Sequence, residues 1–321
     1  MKKILTLMLA LVMMALCVTS LASCGNSGKY KVGILQLVQH VALDAATQGF
    51  KDALVAELGE ENVEFIEQNA NGESTVCNTI AADFVSKKVD LIMANATAAL
   101  QAASAATVDI PILGTSITEY GVALELENFN GTVGGNVSGT SDLAPLDQQA
   151  AMVKELYPDA KKVGLLFCSA EPNSRYQVDK VTEELKKLGY ECKEFGFADS
   201  NDVATVSAAA AAECDVLYIP TDNTAASCTE SILGAIGDTP VVAGEPGICS
   251  GCGVATLGIS YYDLGVTTGK MAAKILKGEA NIAEMPIEYT SASKMYNKER
   301  CEELGIDTAA LEAKGYAAIE E

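Results

Sequence analysis

Apolar positions along this chain fall in short blocks that alternate between two periods. Tyr30 to Leu37 is a brief run around Val32, Ile34 and Leu35, the mark of a buried strand. Val41 to Leu58 then sets Ala42, Ala45, Ala46, Gly49, Phe50, Ala53 and Leu54 at helical spacing and stops near Gly59. The cycle repeats. Val63–Gln68 alternates as a strand, Ser74–Lys87 predicts a helix, Leu91–Ala94 a strand, Ala96–Ala106 a helix, and Ile110–Gly114 a strand. A second series follows. It predicts helix over Asp142–Tyr157, strand over Lys162–Phe167, helix over Ser174–Leu188, and strand over Tyr190–Gly196. Helix is predicted again over Asp202–Ala212, Thr224–Gly234 and Tyr262–Leu276, with a last one over Tyr296–Leu304. Strands are predicted over Val216–Pro220, Pro240–Gly244 and Val254–Ile259. Strand–helix alternation implies parallel sheets with helices on both faces. The two series match in order, so the fold class is α/β with two similar lobes, not one large sheet.

The N-terminus departs from this rhythm. Lys2 and Lys3 precede an uncharged run from Ile4 to Val18, shorter than the ~20 residues a membrane-spanning helix needs. A charged start, a short apolar stretch and small residues before a cut define a signal peptide. Leu21-Ala22-Ser23-Cys24 resembles a bacterial lipobox, which implies cleavage before Cys24 and lipid, such as palmitate, on its thiol. Residues 1–23 are then the signal peptide, and 24–29 a polar lipid-anchored tether that holds the chain at a membrane.

Composition narrows the function. The net charge is −21, and without Lys2 and Lys3 the balance is 20 basic against 43 acidic residues, or −23. Such a surface repels nucleic acid and anionic lipid headgroups. Trp is absent and His40 is the single histidine, which argues against a His-based metal site or a catalytic triad. Beyond Cys17 and Cys24 stand eight cysteines, several inside apolar segments where Cys acts as a small hydrophobe. Cys249-Ser250-Gly251-Cys252 has the spacing of a metal or redox pair, but no second pair completes a zinc set. It reads better as a loop disulfide or two free thiols. There is no Gly-x-Ser-x-Gly elbow and no phosphate loop, so enzymatic activity, a metal and a cofactor are not expected.

Several segments carry a family resemblance. Lys31–Gln36 followed by Gln39–Leu54 resembles the opening of substrate-binding lipoproteins of ABC transporters, the subgroup with tryptophan- and phenylalanine-binding members. Ala94–Ala99, Pro111–Ser116, Ser169–Ser174, Pro220–Asn223 and Gly258–Gly265 carry the similarity onward in order. The resemblance implies a type I periplasmic-binding-protein architecture with hinge crossings near Thr140, Val254–Thr256 and Glu288–Ser291. The N-terminal lobe is then 30–140 with about 256–288 returning to it, and the C-terminal lobe 141–255 with about 289–321. It also implies a monomer on the extracytoplasmic face of the cell membrane, which captures a small amino acid, aromatic by resemblance, and passes it to an ABC permease with its ATPase.

Those motifs lie at the C-terminal ends of predicted strands, where open α/β sheets bind ligands. Candidate ligand groups are Gln36, Gln39, Asn95, Thr97, Ala98, Thr115 and Ser116 in one lobe, and Glu171, Asn173, Ser174, Asp222 and Asn223 in the other. Helix N-termini suit a carboxylate, and Asp222 is the best candidate for an ammonium. Thr97, Ser174, Thr224 and the Asp222-Asn223 pair also read as helix caps, Glu171 as a loop acid, His40 as a ligand contact or a capping or packing residue, and Tyr261 and Tyr262 as contacts for an aromatic ligand or, better, as core or hinge. Rival readings are a nucleoside or sugar receptor and a sensing ectodomain that feeds no permease.

Overall fold

The computed structural model describes residues 28–319. The proposed signal peptide, Cys24 and the start of the tether lie outside them. The first sheet contains β1 (Tyr30–Gln36), β2 (Val63–Asn69), β3 (Leu91–Asn95), β4 (Ile112–Ile117), β5 (Val137–Ser141) and β11 (Glu288–Tyr289), in the order β2-β1-β3-β4-β5-β11. The second contains β6 (Lys162–Cys168), β7 (Glu191–Phe197), β8 (Val216–Ile219), β9 (Val241–Ala243), β10 (Ala255–Ile259), β12 (Ala292–Tyr296) and β13 (Ala317–Ala318), in the order β7-β6-β8-β9-β10-β12-β13. The first sheet is parallel throughout, and in the second β12 runs antiparallel to β10. The helices are α1 (Val41–Leu58), α2 (Ser74–Lys87), α3 (Thr97–Ala106), α4 (Tyr120–Ala123), α5 (Leu146–Leu156), α6 (Pro172–Lys187), α7 (Val203–Glu213), α8 (Asn223–Ser227), α9 (Thr229–Ile236), α10 (Pro246–Cys252), α11 (Tyr261–Leu276), α12 (Lys298–Glu303) and α13 (Thr308–Ala313).

The lobes repeat one plan down to its polar details. Asp90, just before β3, accepts the Lys31 N–H at the start of β1. Asp215, just before β8, accepts the N–H groups of Lys161 and Lys162 at the start of β6. Each sheet is packed on both faces. In the first lobe Leu35, Phe84, Ile92 and Leu100 fill one side, and Val32, Phe50, Leu113 and Met271 the other. In the second, Leu165, Val178 and Tyr218 oppose Leu166, Leu217 and Ile248. Burial on both faces explains why these strands read as continuous apolar runs.

The chain passes between sheets at Asp142–Pro145, at Ser260 and at Thr290–Ser291. The second passage comes later than the 254–256 expected from the resemblance. β10 pairs with β9 and β12, so residues 255–259 belong to the second sheet, and only α11 returns to the first lobe. There α11 lies against α1 along Gly49, Gly265 and Gly269, where the two backbones approach so closely that a Cβ would meet a carbonyl oxygen. The segment Thr224–Gly234 divides at Cys228 into α8 and α9, and Tyr296 ends β12 instead of opening a helix. The predicted helix over 142–157 begins only at Leu146, since Asp142–Pro145 forms the first passage.

Candidate functional site

Strand ends of both lobes face one another across the passages and enclose a cavity. Its lining is His40, Leu43, Ser116 and Thr118 from the first lobe, Asp142 from the first passage, Tyr261 at the start of α11, and Asn173, Thr221, Asp222, Asn223, Ala226 and Glu245 from the second lobe. The lobes stand so close that the enclosed space admits on the order of one water molecule.

Local geometry aims each first-lobe group. Between Gly114 and Ile117 the β4–β5 register shifts, and Ser116 adopts a left-handed φ of 55°. That conformation is uncommon for a residue with a side chain and concentrates at binding sites. The bulge turns Ser116 toward the cavity, buried and with no partner for its hydroxyl. Its neighbour Thr115 points the other way, into a hydroxyl cluster with Thr140 at 3.1 Å and Thr268 at 3.1 Å. His40 precedes α1; neither ring nitrogen has a hydrogen-bond partner, although the Asn223 side chain lies alongside. Burial holds its pKa below the usual histidine value, against the pull of Asn223, Glu171 and Asp44.

In the second lobe the acids double as helix caps. Asp222 accepts the Cys168 N–H at 2.6 Å and the Ala225 N–H at 2.8 Å, fixing the start of α8 to the end of β6. Glu245 accepts the N–H groups of Gly247 and Ile248 at the start of α10. Glu171 takes Asn223 and Thr224, by backbone and side chain, and so lies behind the wall instead of in it. Asp142 differs. Tyr261 donates its hydroxyl to Oδ2 at 2.9 Å, while Oδ1 is buried with no partner.

Of the residues singled out from sequence, Ser116, Asn173, Asp222 and Asn223 line the cavity, together with His40 and Tyr261. The others are placed elsewhere. Gln36 is spent on Val38, Asp44 and Thr47, and Gln39 faces solvent. Asn95 donates to Leu43 and Thr47. Thr97 is buried at the start of α3, Ala98 packs on the core, and Ser174 is buried beside Asn173. Sequence reasoning missed Thr118, Asp142, Thr221 and Glu245. Glu245 follows a strand directly and precedes a proline, so the strand-end rule applied to Pro240–Gly244 would have found it. The sequence pattern places Asp142 within the helix predicted over 142–157, whereas the helix starts at Leu146.

Among the described residues no group of three or more His, Cys, Asp or Glu side chains is placed to hold a metal ion. Cys249 and Cys252 lie within α10, not in a loop, buried and unbridged. Burial pushes the Cys252 thiol up to about 12 and Cys249 well up, which makes both poor nucleophiles.

Burial also raises the cavity carboxyls: Asp142 to about 6, against the pull of Tyr261, and Glu245 to about 7. Asp222 is raised as well, by burial first and by Glu171 second. Below the ordinary carboxyl range of about 4, open and closed forms both carry these protons. If parting of the lobes returns these carboxyls to that ordinary range, the open form sheds protons between there and about pH 7 that the closed form keeps, and closure without ligand weakens as pH rises. Small-angle scattering of the ligand-free chain should give a smaller radius of gyration at pH 5 than at pH 8. Equal radii would show that these groups do not oppose closure.

Two similar α/β lobes, three passages and a polar cavity between facing strand ends define a two-lobed binding protein. The chain belongs to the ABC transporter substrate binding protein family, whose model matches residues 31–312. It is 38% identical over 270 residues to a tyrosine-binding protein of Clostridioides difficile (strain R20291), covering 82% of this chain and 77% of that one. An ABC domain from Streptococcus pneumonia, solved in complex with L-Trp, shares 31% identity at a TM-score of 0.85, covering 90% of this chain and all of that one. A ligand-free, open substrate binding protein from Clostridium difficile shares more sequence, 36%, but matches at 0.69, covering 91% of this chain and 99% of that one. Higher identity thus goes with lower structural agreement here, and in this chain the two lobes stand close together. No helix among the described residues is long and apolar enough to cross a membrane.

Proposed function

We propose that this chain captures an aromatic amino acid (tyrosine, tryptophan or phenylalanine) in the interlobe cavity and delivers it to the permease of an ABC importer. The observation that carries the reading is the set of buried, unpartnered polar atoms on residues that line the cavity: Ser116 Oγ, Asp142 Oδ1 and the ring nitrogens of His40, which has the Asn223 side chain alongside. Such groups cost free energy unless something pairs with them, and a zwitterion supplies both charges. Tyr261, Leu43 and Ala226 offer the apolar contact a ring needs once the lobes part. The tyrosine-binding relative and the L-Trp complex support the aromatic class. The chain acts by binding, without turnover. It does so as a monomer outside the cell, anchored through lipid on Cys24 after removal of residues 1–23. Ser116, Asn173, Asn223 and Asp222 remain our ligand-facing assignments.

A ligand that binds only the folded chain raises its melting temperature. For the soluble form from Gly25 onward, at least one aromatic amino acid should do so among the twenty amino acids, nucleosides and sugars. A shift with a nucleoside or sugar alone overturns the amino-acid assignment.

A further inference from the structure

We infer that Asp142 is the anchor for the ligand's ammonium group, and that Tyr261 is a positioning residue linking this anchor to lobe closure. The inference rests on the amino-acid reading above and deepens it.

Of the carboxylates lining the cavity, Asp222 and Glu245 each give both oxygens to backbone N–H groups at helix starts. Asp142 alone among these presents an unengaged oxygen, and it is 3% exposed. A buried carboxylate oxygen without a partner is costly, and a ligand N⁺–H is the donor that relieves it with a charge-assisted bond. The described lining residues include no Lys or Arg to compete for it.

Position adds the second half. Asp142 follows β5 directly and opens the first passage; its own N–H donates to Ile117 O, and Ser141 beside it donates to Thr118 O. Tyr261 opens α11 directly after the second passage, its ring packed among Ala42, Ala46, Ile259 and Leu264, residues of both lobes. The 2.9 Å bond from Tyr261 to Asp142 thus ties two of the chain's passages together at the point where the ammonium docks. A cation drawn to Oδ1 pulls on the hinge itself and not on one wall.

Other titratable groups around Asp142 are Glu245 ahead of α10, Tyr120 on α4, and the cavity's His40 and Asp222. None of them donates a hydrogen bond to its carboxylate among the described residues; Tyr261 is the first of the groups that lower its proton affinity, ahead of Thr118.

The test compares ligands with and without the amine on the soluble chain from Gly25 onward. The probes are the aromatic amino acid that shifts melting most and its desamino acid, for tyrosine 3-(4-hydroxyphenyl)propionate. Asp142→Asn is expected to weaken the amino acid about 30-fold or more and to leave the desamino acid within about threefold. Equal loss for both probes, or no loss for either, overturns the assignment while the receptor reading stands. Wild-type binding of a ligand without an amine, in preference to every amino acid, overturns both. Tyr261→Phe removes the donor that favours ionised Asp142, so the acid limb of the affinity–pH profile should move to higher pH. A residue that served packing alone would lower the melting temperature and leave that limb in place, which would overturn the positioning role.

Discussion

Gly265→Ala is expected to destabilise the chain by about 3 kcal/mol, at the upper end for overpacking. The reason is the seam between the helix Val41–Leu58 and the helix Tyr261–Leu276. A Cβ on Gly265 would stand 2.0 Å from the Ala46 carbonyl oxygen, and one on Gly49 2.1 Å from that of Tyr262. Both neighbours are backbone atoms, which cannot swing aside as a side chain can, so the helices must separate. Separation loosens Phe50, Leu54 and Met271 beneath them and strains the outer ties Tyr262–Asp52 and Lys277–Glu57. Gly234→Ala is the control. It lies inside the helix Thr229–Ile236 with nothing within 4 Å of an added Cβ, so the better helix former should stabilise by about 0.5–1 kcal/mol. Denaturant unfolding of the two variants should therefore move in opposite directions. Loss of stability in neither would show that the seam is not tightly packed.

Asp222→Ala should cost about 2–6 kcal/mol, because it strands the buried N–H groups of Cys168 and Ala225 at about 1–3 kcal/mol each. The loss should fall on the second lobe, where Asp222 ties the helix Asn223–Ser227 to the strand Lys162–Cys168. Hydrogen exchange checks this: protection at Ala225 and along that strand should drop, with the first-lobe strand Leu91–Asn95 unchanged. Binding weakens in this variant through a disordered wall, which separates it from Asp142→Asn, where an ammonium loses its partner in an intact one. Unchanged exchange at Ala225 would remove Asp222 from its capping role.

The difference between these two acids shows what sequence can reveal of such a site. The lobes were legible because sheets covered on both faces demand unbroken apolar runs such as Leu91–Asn95. The helix Val41–Leu58 was legible because its buried stripe repeats at helical spacing. The strand Val137–Ser141 was not, since its buried side chains are largely hydroxyls, Thr140 pairing with Thr115 and Thr268 and Ser138 and Ser141 with backbone carbonyls, and Val-Ser-Gly-Thr-Ser carries no apolar pattern. That omission hid Asp142, which then read as the first turn of a helix. The strand-end rule did bring Ser116, Asn173, Asp222 and Asn223 to one cavity. It does not say which oxygen is already taken. An acid before a helix caps it or meets a ligand by the same chemistry, and only the hydrogen-bond count separates Asp222 and Glu245 from Asp142. Gln36 illustrates the same limit, a polar group at a strand end spent on holding the helix Val41–Leu58, and Asn95 gives its amide N–H groups to that helix while its Oδ1 stays without a partner.

The central claim, capture of an aromatic amino acid between the lobes, is tested most directly by calorimetric titration of the soluble chain from Gly25 with L-tyrosine, L-tryptophan and L-phenylalanine. One-to-one binding of at least one of them, lost in Ser116→Trp, which fills the cavity, is the expected result. No binding of any of the three, or binding that Ser116→Trp leaves unchanged, would contradict it.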